Sequence, residues 1–529
     1  MAIAGGARVL AILLVCLELA FCEAQGPENA PAHSPGGVTD TPAHPPGGVA
    51  GAPAHPPGSV ANAPGGVAYA LAHPPGGVAD APAHPPGGVP GAPAHPPSSV
   101  ADAPGGVADA PDGKADAATY LLNTMADVRG HPQAVADTFA HSLTATKLKG
   151  RNYDIPDPSE KIFNVLQFGA KSDGRKDCAQ SFIKAWRATC DFKGRSRLVI
   201  PGGTFVLSQV VFGGPCSGPG PKIVQVIGTL KATTDISEYS SPEWFLFESI
   251  TGLVVTGRGT FDGRGDAVWK YNDCKNNQNC VQLPSNIKFR KVTDGIIRGI
   301  TSLNSKGKHM FITECEKMRV LRIHITAPED SPNTDGIHIS NSNNVRVART
   351  AIATGDDCIA IIAGATNVMV NKLTCGPGHG ISVGSLGKYP NERDVSGITV
   401  KDCTFTGTDN GIRIKTWAGS PPSAASSMLF QNLIMNDVRF PIIIDQDYCS
   451  ATSCSNKGPS RVKISNVHYI NIRGTSTTAI PVKLMCSKQF PCQDVQLVDI
   501  DLKYKGAATS TCDNAKVRYS GKQNPPPCK

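Results

Sequence analysis

The chain has 529 residues, and its 51 Lys and Arg against 43 Asp and Glu give a formal net charge of +8. That modest excess suits an acidic polymer as partner but lacks the dense basic stripe of a nucleic-acid binder. Past the N-terminal segment no stretch approaches the about 18 uninterrupted apolar residues of a spanning helix, so no membrane association of the mature protein is expected.

Residues 1–24 carry Arg8, an apolar run from Val9 to Phe21 and the small residue Ala24. This is the pattern of a secretory signal peptide, so a secreted protein of the extracellular space or cell wall is expected. Residues 25–114 are built on a degenerate 11-residue unit, Ala-Pro-Ala-His-Pro-Pro-Gly-Gly-Val-Ala-Asp, with histidines at 33, 44, 55, 73, 84 and 95. Its prolines and glycines block helix and ladder alike, and it has almost nothing large to bury, which predicts a disordered, extended spacer. The histidines are too loosely tethered to be preorganised as a metal site. Residues 115–160 are helix-prone, divided by Gly130 and Pro132, and read as a linker or pro-segment.

The folded domain is predicted over residues 161–529. It opens with an alternating strand, Ile-Phe-Asn-Val-Leu-Gln-Phe-Gly-Ala, followed by a helical stretch from Cys178 to Cys190 suited to cap the first coil of a solenoid. From about residue 195 short Val/Ile/Phe-rich strands alternate with Gly, Asn, Asp and Ser, the pattern of an all-β parallel β-helix. Of the 17 cysteines, 15 lie from Cys178 onward. Most should pair in an oxidising compartment, and an odd total leaves a thiol over. Cys449 with Cys454, Cys486 with Cys492, and Cys512 with Cys528 are close enough to staple loops, and the spacings fit neither a zinc nor a haem motif.

Asp335, Asp357 and His379 stand 22 residues apart, each opening a short apolar strand. Equivalent positions in stacked coils become spatial neighbours, about 4.8 Å apart per coil. The series continues with Asn410-Gly-Ile-Arg-Ile and Pro441-Ile-Ile-Ile at a spacing of 31, which implies insertions at 385–409 and 416–440. Period-two alternation sends Ile337 and Ile339, Ile359 and Ile361, Ile381 and Val383, Ile412 and Ile414, and Ile442 and Ile444 inward. His338, Ala360, Ser382, Arg413 and Ile443 then line an outer groove suited to an elongated polymer. Three crowded carboxylates, Asp335, Asp356 and Asp357, beside His379 should raise at least one pKa and so supply a proton donor. General acid and base across a glycosidic bond is the chemistry such a set performs. Arg413 and Lys415 offer a fork and a point charge for a substrate carboxylate, and Tyr448 a ring or a hydroxyl.

Asn333-Thr-Asp-Gly, Gly355-Asp-Asp, Gly378-His-Gly and Arg413-Ile-Lys, in this order, resemble the signatures of polygalacturonases of glycoside hydrolase family 28. The resemblance covers roughly residues 160–529 and is strongest to the plant pollen type, many of them exo-acting. It implies a right-handed parallel β-helix that hydrolyses α-1,4-galacturonosyl links in pectate with inversion, with no cofactor and no metal; a monomer is expected, although the sequence does not give the oligomeric state. It further implies Asp356 as general acid, Asp335 and Asp357 as the groups that hold and activate water, and His379 as the tuner of the acid's protonation. Arg413, Lys415 and Tyr448 would bind galacturonate, Asn333 would support the site, and Cys358 would pair with Cys375. Adjacent coils put carboxyls roughly 5 Å apart, closer than the about 6.5–9.5 Å of most inverting enzymes, so the stereochemical expectation rests on the resemblance. The alternatives are an endo-acting or rhamnogalacturonan hydrolase on the same scaffold, or a non-catalytic pectin-binding wall protein. A calcium-dependent lyase fits the acid set less well.

Overall fold

The computed structural model describes residues 153–529 apart from 274–276, 278–279, 281, 450–457 and 529. The expected signal peptide, the Pro/Gly/His repeat and the linker up to residue 152 lie outside the described residues.

Among the described residues parallel strands run in two sheets, one of 22 strands and one of 11. This is the expected right-handed parallel β-helix. The 11-stranded sheet carries the candidate site, and its strands are numbered in chain order. They are β1 (Val210–Gly213), β2 (Glu243–Glu248), β3 (Ser285–Arg290), β4 (Met310–Thr313), β5 (Ile337–Ser340) and β6 (Ile359–Ile361). The series continues with β7 (Ile381–Leu386), β8 (Asn410–Trp417), β9 (Phe440–Tyr448), β10 (Val482–Met485) and β11 (Ser510–Asp513). Among the described residues no helix is long and apolar enough to cross a membrane.

Register follows the predicted alternation. Ile337, Ile359, Ile381, Ile412 and Ile442 form one row, and Ile339, Ile361, Val383, Ile414 and Ile444 another. All ten are fully buried, each contributing about 2 kcal/mol of burial. His338, Ala360, Ser382, Arg413 and Ile443 share the row between, on the outer face, as expected. Three of them, Ala360, Ser382 and Ile443, are nonetheless buried: Ser382 lies beneath the Arg413 and Asp357 side chains that bond it.

Toward the N-terminal end aromatics replace isoleucine in the core. Phe212 meets Phe245 at 4.8 Å, Phe245 meets Phe247 at 5.1 Å, and Phe247 stacks on Phe289 at 5.1 Å. Helix α1 (Ala179–Asp191) closes this end by burying Ala179, Phe182, Ala185, Trp186 and Cys190 at helical spacing. Trp186 stacks on Phe212 at 4.8 Å and donates its indole N–H to Gly213 O at 2.9 Å. The predicted cap is therefore present, tied by a Cys190–Cys216 disulfide. Ahead of the first strand, Lys161–Asn164, residues 153–160 already pack on the coils: buried Arg197 bonds Glu160 and the Tyr153 carbonyl at 2.8 and 2.7 Å.

The pairs Cys486–Cys492, Cys512–Cys528 and Cys358–Cys375 form as expected. The Cys449–Cys454 pair involves a residue outside the described ones, although Cys449 is disulfide-bonded. Cys178, Cys315 and Cys403 are buried free thiols. The expected long insertions are mostly ordered ladder: Val395–Lys401, Thr404–Thr406 and Ser423–Val438 belong to the larger sheet. Residues 387–394 and 418–422 leave it as the longer loops, with short turns at 402–403 and 407–409.

Candidate active site

Asp335, Asp356 with Asp357, and His379 sit just before β5, β6 and β7, where the chain turns onto the outer face. Close stacking dictates the glycines around them. Gly378 and Gly380 have φ of 135° and 81°, and a Cβ at either would collide with backbone carbonyls of Asp356 or Asn410. The Cys358–Cys375 bridge braces the same coil.

The acid and imidazole groups converge as expected. His379 Nδ1 lies 2.9 Å from Asp356 Oδ1, which also accepts the Asp357 backbone N–H at 2.8 Å. Asn333 donates to Asp356 Oδ2 at 3.3 Å, and Asn272, from an insertion two coils upstream in sequence order, donates to Asn333 Oδ1 at 3.1 Å. Asp357 is enclosed: Ser382 Oγ and Arg413 reach its Oδ1 at 2.7 and 2.8 Å, and Lys415 Nζ reaches Oδ2 at 2.9 Å. Asp335 bonds His338 Nδ1 through Oδ2 at 3.0 Å.

The electrostatics correct one expectation. Crowding should have raised a carboxyl of the set, yet Asp356 and Asp357 are both held below the ordinary carboxylate range. Burial pushes each upward. For Asp356 the His379 hydrogen bond and charge together with the Lys415 charge outweigh it, and for Asp357 the Lys415 and Arg413 charges together with the Ser382 hydrogen bond do. The proton affinity displaced from Asp356 reappears on His379, whose pKa is raised chiefly by that same hydrogen bond. Burial lowers the His338 pKa against the opposing Asp335 hydrogen bond, and the Nδ1 side of its ring faces the Asp335 carboxylate.

Arg413 and Lys415 are thus both on the groove face, as predicted, but they are paired with Asp357 rather than free. Tyr448 lies beneath Lys415, whose Nζ is 5.2 Å from the ring centroid, and meets Trp417 edge-on at 5.4 Å. Asp356, Asp357 and His379 present ligand atoms within 4.8 Å of one another. A metal there would have to displace Lys415 and Arg413 from Asp357, so the set fits proton chemistry better than cation binding. Sequence reasoning gave no role to His338, Ser382 or Asn272. The first two were legible as groove-facing; Asn272 carried no signal.

A parallel β-helix with paired acids, an acid-bound imidazole and a flanking cation pair on one outer face defines a glycoside hydrolase. The chain belongs to glycosyl hydrolases family 28, whose model matches residues 190–521. It is 48% identical over 371 residues to an exopolygalacturonase of Platanus acerifolia, covering 69% of this chain and 97% of that protein. An Arabidopsis thaliana exopolygalacturonase is 47% identical over 379 residues, covering 69% and 88%. The solved exopolygalacturonase of Thermotoga maritima superposes with a TM-score of 0.58 at 18% identity, covering 69% of this chain and 91% of that one, a likeness of fold.

Proposed function

We propose that the protein hydrolyses α-1,4 links of polygalacturonan from chain ends, by single displacement with inversion. The carrying observation is the Asp356–His379 pair beside the Asp357–Arg413–Lys415 cluster, with Asp335 on the preceding coil. The pair shares one proton, which rests on His379 in the free enzyme and passes through Asp356 to the glycosidic oxygen as the C1–O bond breaks. Water attacks C1 and gives its proton to a carboxylate. Asp335 suits that base role, because among the described residues only its Oδ2 engages a side chain. Asp357, with both oxygens occupied, acts instead by orienting Arg413 and Lys415 toward the galacturonate carboxylate, with Tyr448 as the ring beside it.

Exo action is supported by the names of the two relatives, and the insertion bearing Trp269–Tyr271 brings Asn272 onto Asn333 beside the acid. Disulfides support an extracellular site of action on wall pectin, with residues 1–24 as export signal and 25–152 as repeat and linker ahead of the enzyme. The test is a chromatographic product profile on polygalacturonic acid at mildly acidic pH with chelator present. Galacturonic acid alone from the first time point is expected. Mixed oligomers would reverse the exo reading, and unsaturated products, or no products with retained binding, would overturn hydrolysis.

A further inference from the structure

The loop at residues 387–394, after β7, is built rather than slack. Glu392 accepts three successive backbone N–H groups, from Gly387 at 2.7 Å and from Lys388 and Tyr389 at 2.9 Å each. Gly387 is seated so tightly that a Cβ there would strike Ser420. This bracing consumes the nearest carboxylate on the loop and presents Lys388 and Tyr389 outward. Tyr389 is 60% exposed, far more than an aromatic ring needs to be. Lys388 Nζ lies 5.3 Å from the Tyr389 ring and 5.5 Å from the Trp417 ring, and among the described residues it has no ion pair. Two rings therefore hold a cation at the groove rim without neutralising it.

The charge balance gives that cation a use. At the centre of the site three carboxylates, Asp335, Asp356 and Asp357, face two fixed cations, Arg413 and Lys415, both bound to Asp357. Even with His379 protonated this centre is about neutral and offers a polyanion little net attraction. Lys388 is linked to it by contact: Lys415 lies on Tyr448, Tyr448 meets Trp417, and Trp417 lies under Lys388. Two rings separate the lysines, so the sugar facing Asp357 is not the one that reaches Lys388.

We propose that Lys388, framed by Tyr389 and Trp417, forms a further subsite that binds the carboxylate of a galacturonate unit beyond the two flanking the scissile bond. The proposal rests on the galacturonan reading above. It makes Lys388 a determinant of affinity for longer chains, with no part in bond cleavage.

The experiment compares the full-length protein with Lys388→Glu and Lys388→Arg on polygalacturonate and on digalacturonate. Lys388 is exposed, so neither change threatens folding. For Lys388→Glu, KM on the polymer should rise about tenfold, the scale of about one charge-assisted contact. Its kcat, and both constants on digalacturonate, should stay within about twofold of wild type, and the KM gap should narrow in high salt. Lys388→Arg should behave as wild type. An unchanged polymer KM in Lys388→Glu, or an equal rise on the dimer, would overturn the subsite while leaving the hydrolase reading intact. Failure of the wild-type protein to cleave polygalacturonate would overturn that reading first, and the subsite with it.

Discussion

The two faces of the sheet from β5 to β9 are built from the same strands by opposite rules. Facing inward, nine isoleucines and one valine repeat from coil to coil, because each position does the same job of filling a stack. Facing outward, the row is His, Ala, Ser, Arg, Ile, with no residue repeated, because each coil presents a different group to one site. The inner face is stabilised by burial and is indifferent to charge. The outer face is held by pairing, with Asp357 gripped by Ser382, Arg413 and Lys415 and Asp356 left open on one side. Repetition marks the scaffold here, and departure from repetition marks the chemistry.

The largest stability effect should come from Asp357→Asn, which leaves the Arg413 and Lys415 charges without their shared partner; chemical denaturation should record a loss of about 3–5 kcal/mol. On the inner face, Ile412→Ala should cost about 2–5 kcal/mol through lost burial and a cavity. Its kcat per folded molecule should stay near wild type, and a large kcat loss would mean the faces are not separable. Replacing Cys358 and Cys375 with serine should cost about 3 kcal/mol, since the bridge closes a loop spanning 17 residues.

The smallest effect expected is on pH dependence. The raised His379 pKa lies above its ordinary 6.5, so its proton is present below that value and lost as pH rises through it. Asp356, depressed below 3.8, stays ionised above its own pKa. One shared proton therefore exists between these limits, and kcat/KM should fall on the alkaline side as His379 deprotonates. In His379→Asn the proton must sit on Asp356 itself, so that limb should move to lower pH; an unmoved limb would remove His379 from the proton path. Stability carries the same signs. The His379 contribution is full below pH 6.5 and lost on the alkaline side, whereas those of Asp356 and Asp357 hold above 3.8 and are lost on acidification.

Much of this was legible in the chain. A period of two inside a period of 22 fixes which residues point inward, and it places Asp335, Asp357 and His379 on neighbouring coils before any coordinate is known. The sense of the electrostatics was not legible. Crowded carboxylates imply a raised pKa only if no cation intervenes, and Arg413 and Lys415 arrive on Asp357 from 56 and 58 residues away. The His338–Asp335 bond was missed for the opposite reason: the residues lie three apart, and a groove-facing position does not disclose its partner. Loop contributions, Asn272 and Lys388 among them, follow no period, so only the folded chain brings them to the groove.

The most direct test of the account pairs thermal stability with turnover for Asp356→Asn. Its melting temperature should stay close to wild type and its affinity for galacturonate oligomers should be retained, with hydrolysis reduced by about a thousandfold or more. Hydrolysis within about tenfold of wild type, or a loss of activity explained wholly by a loss of fold, would contradict it.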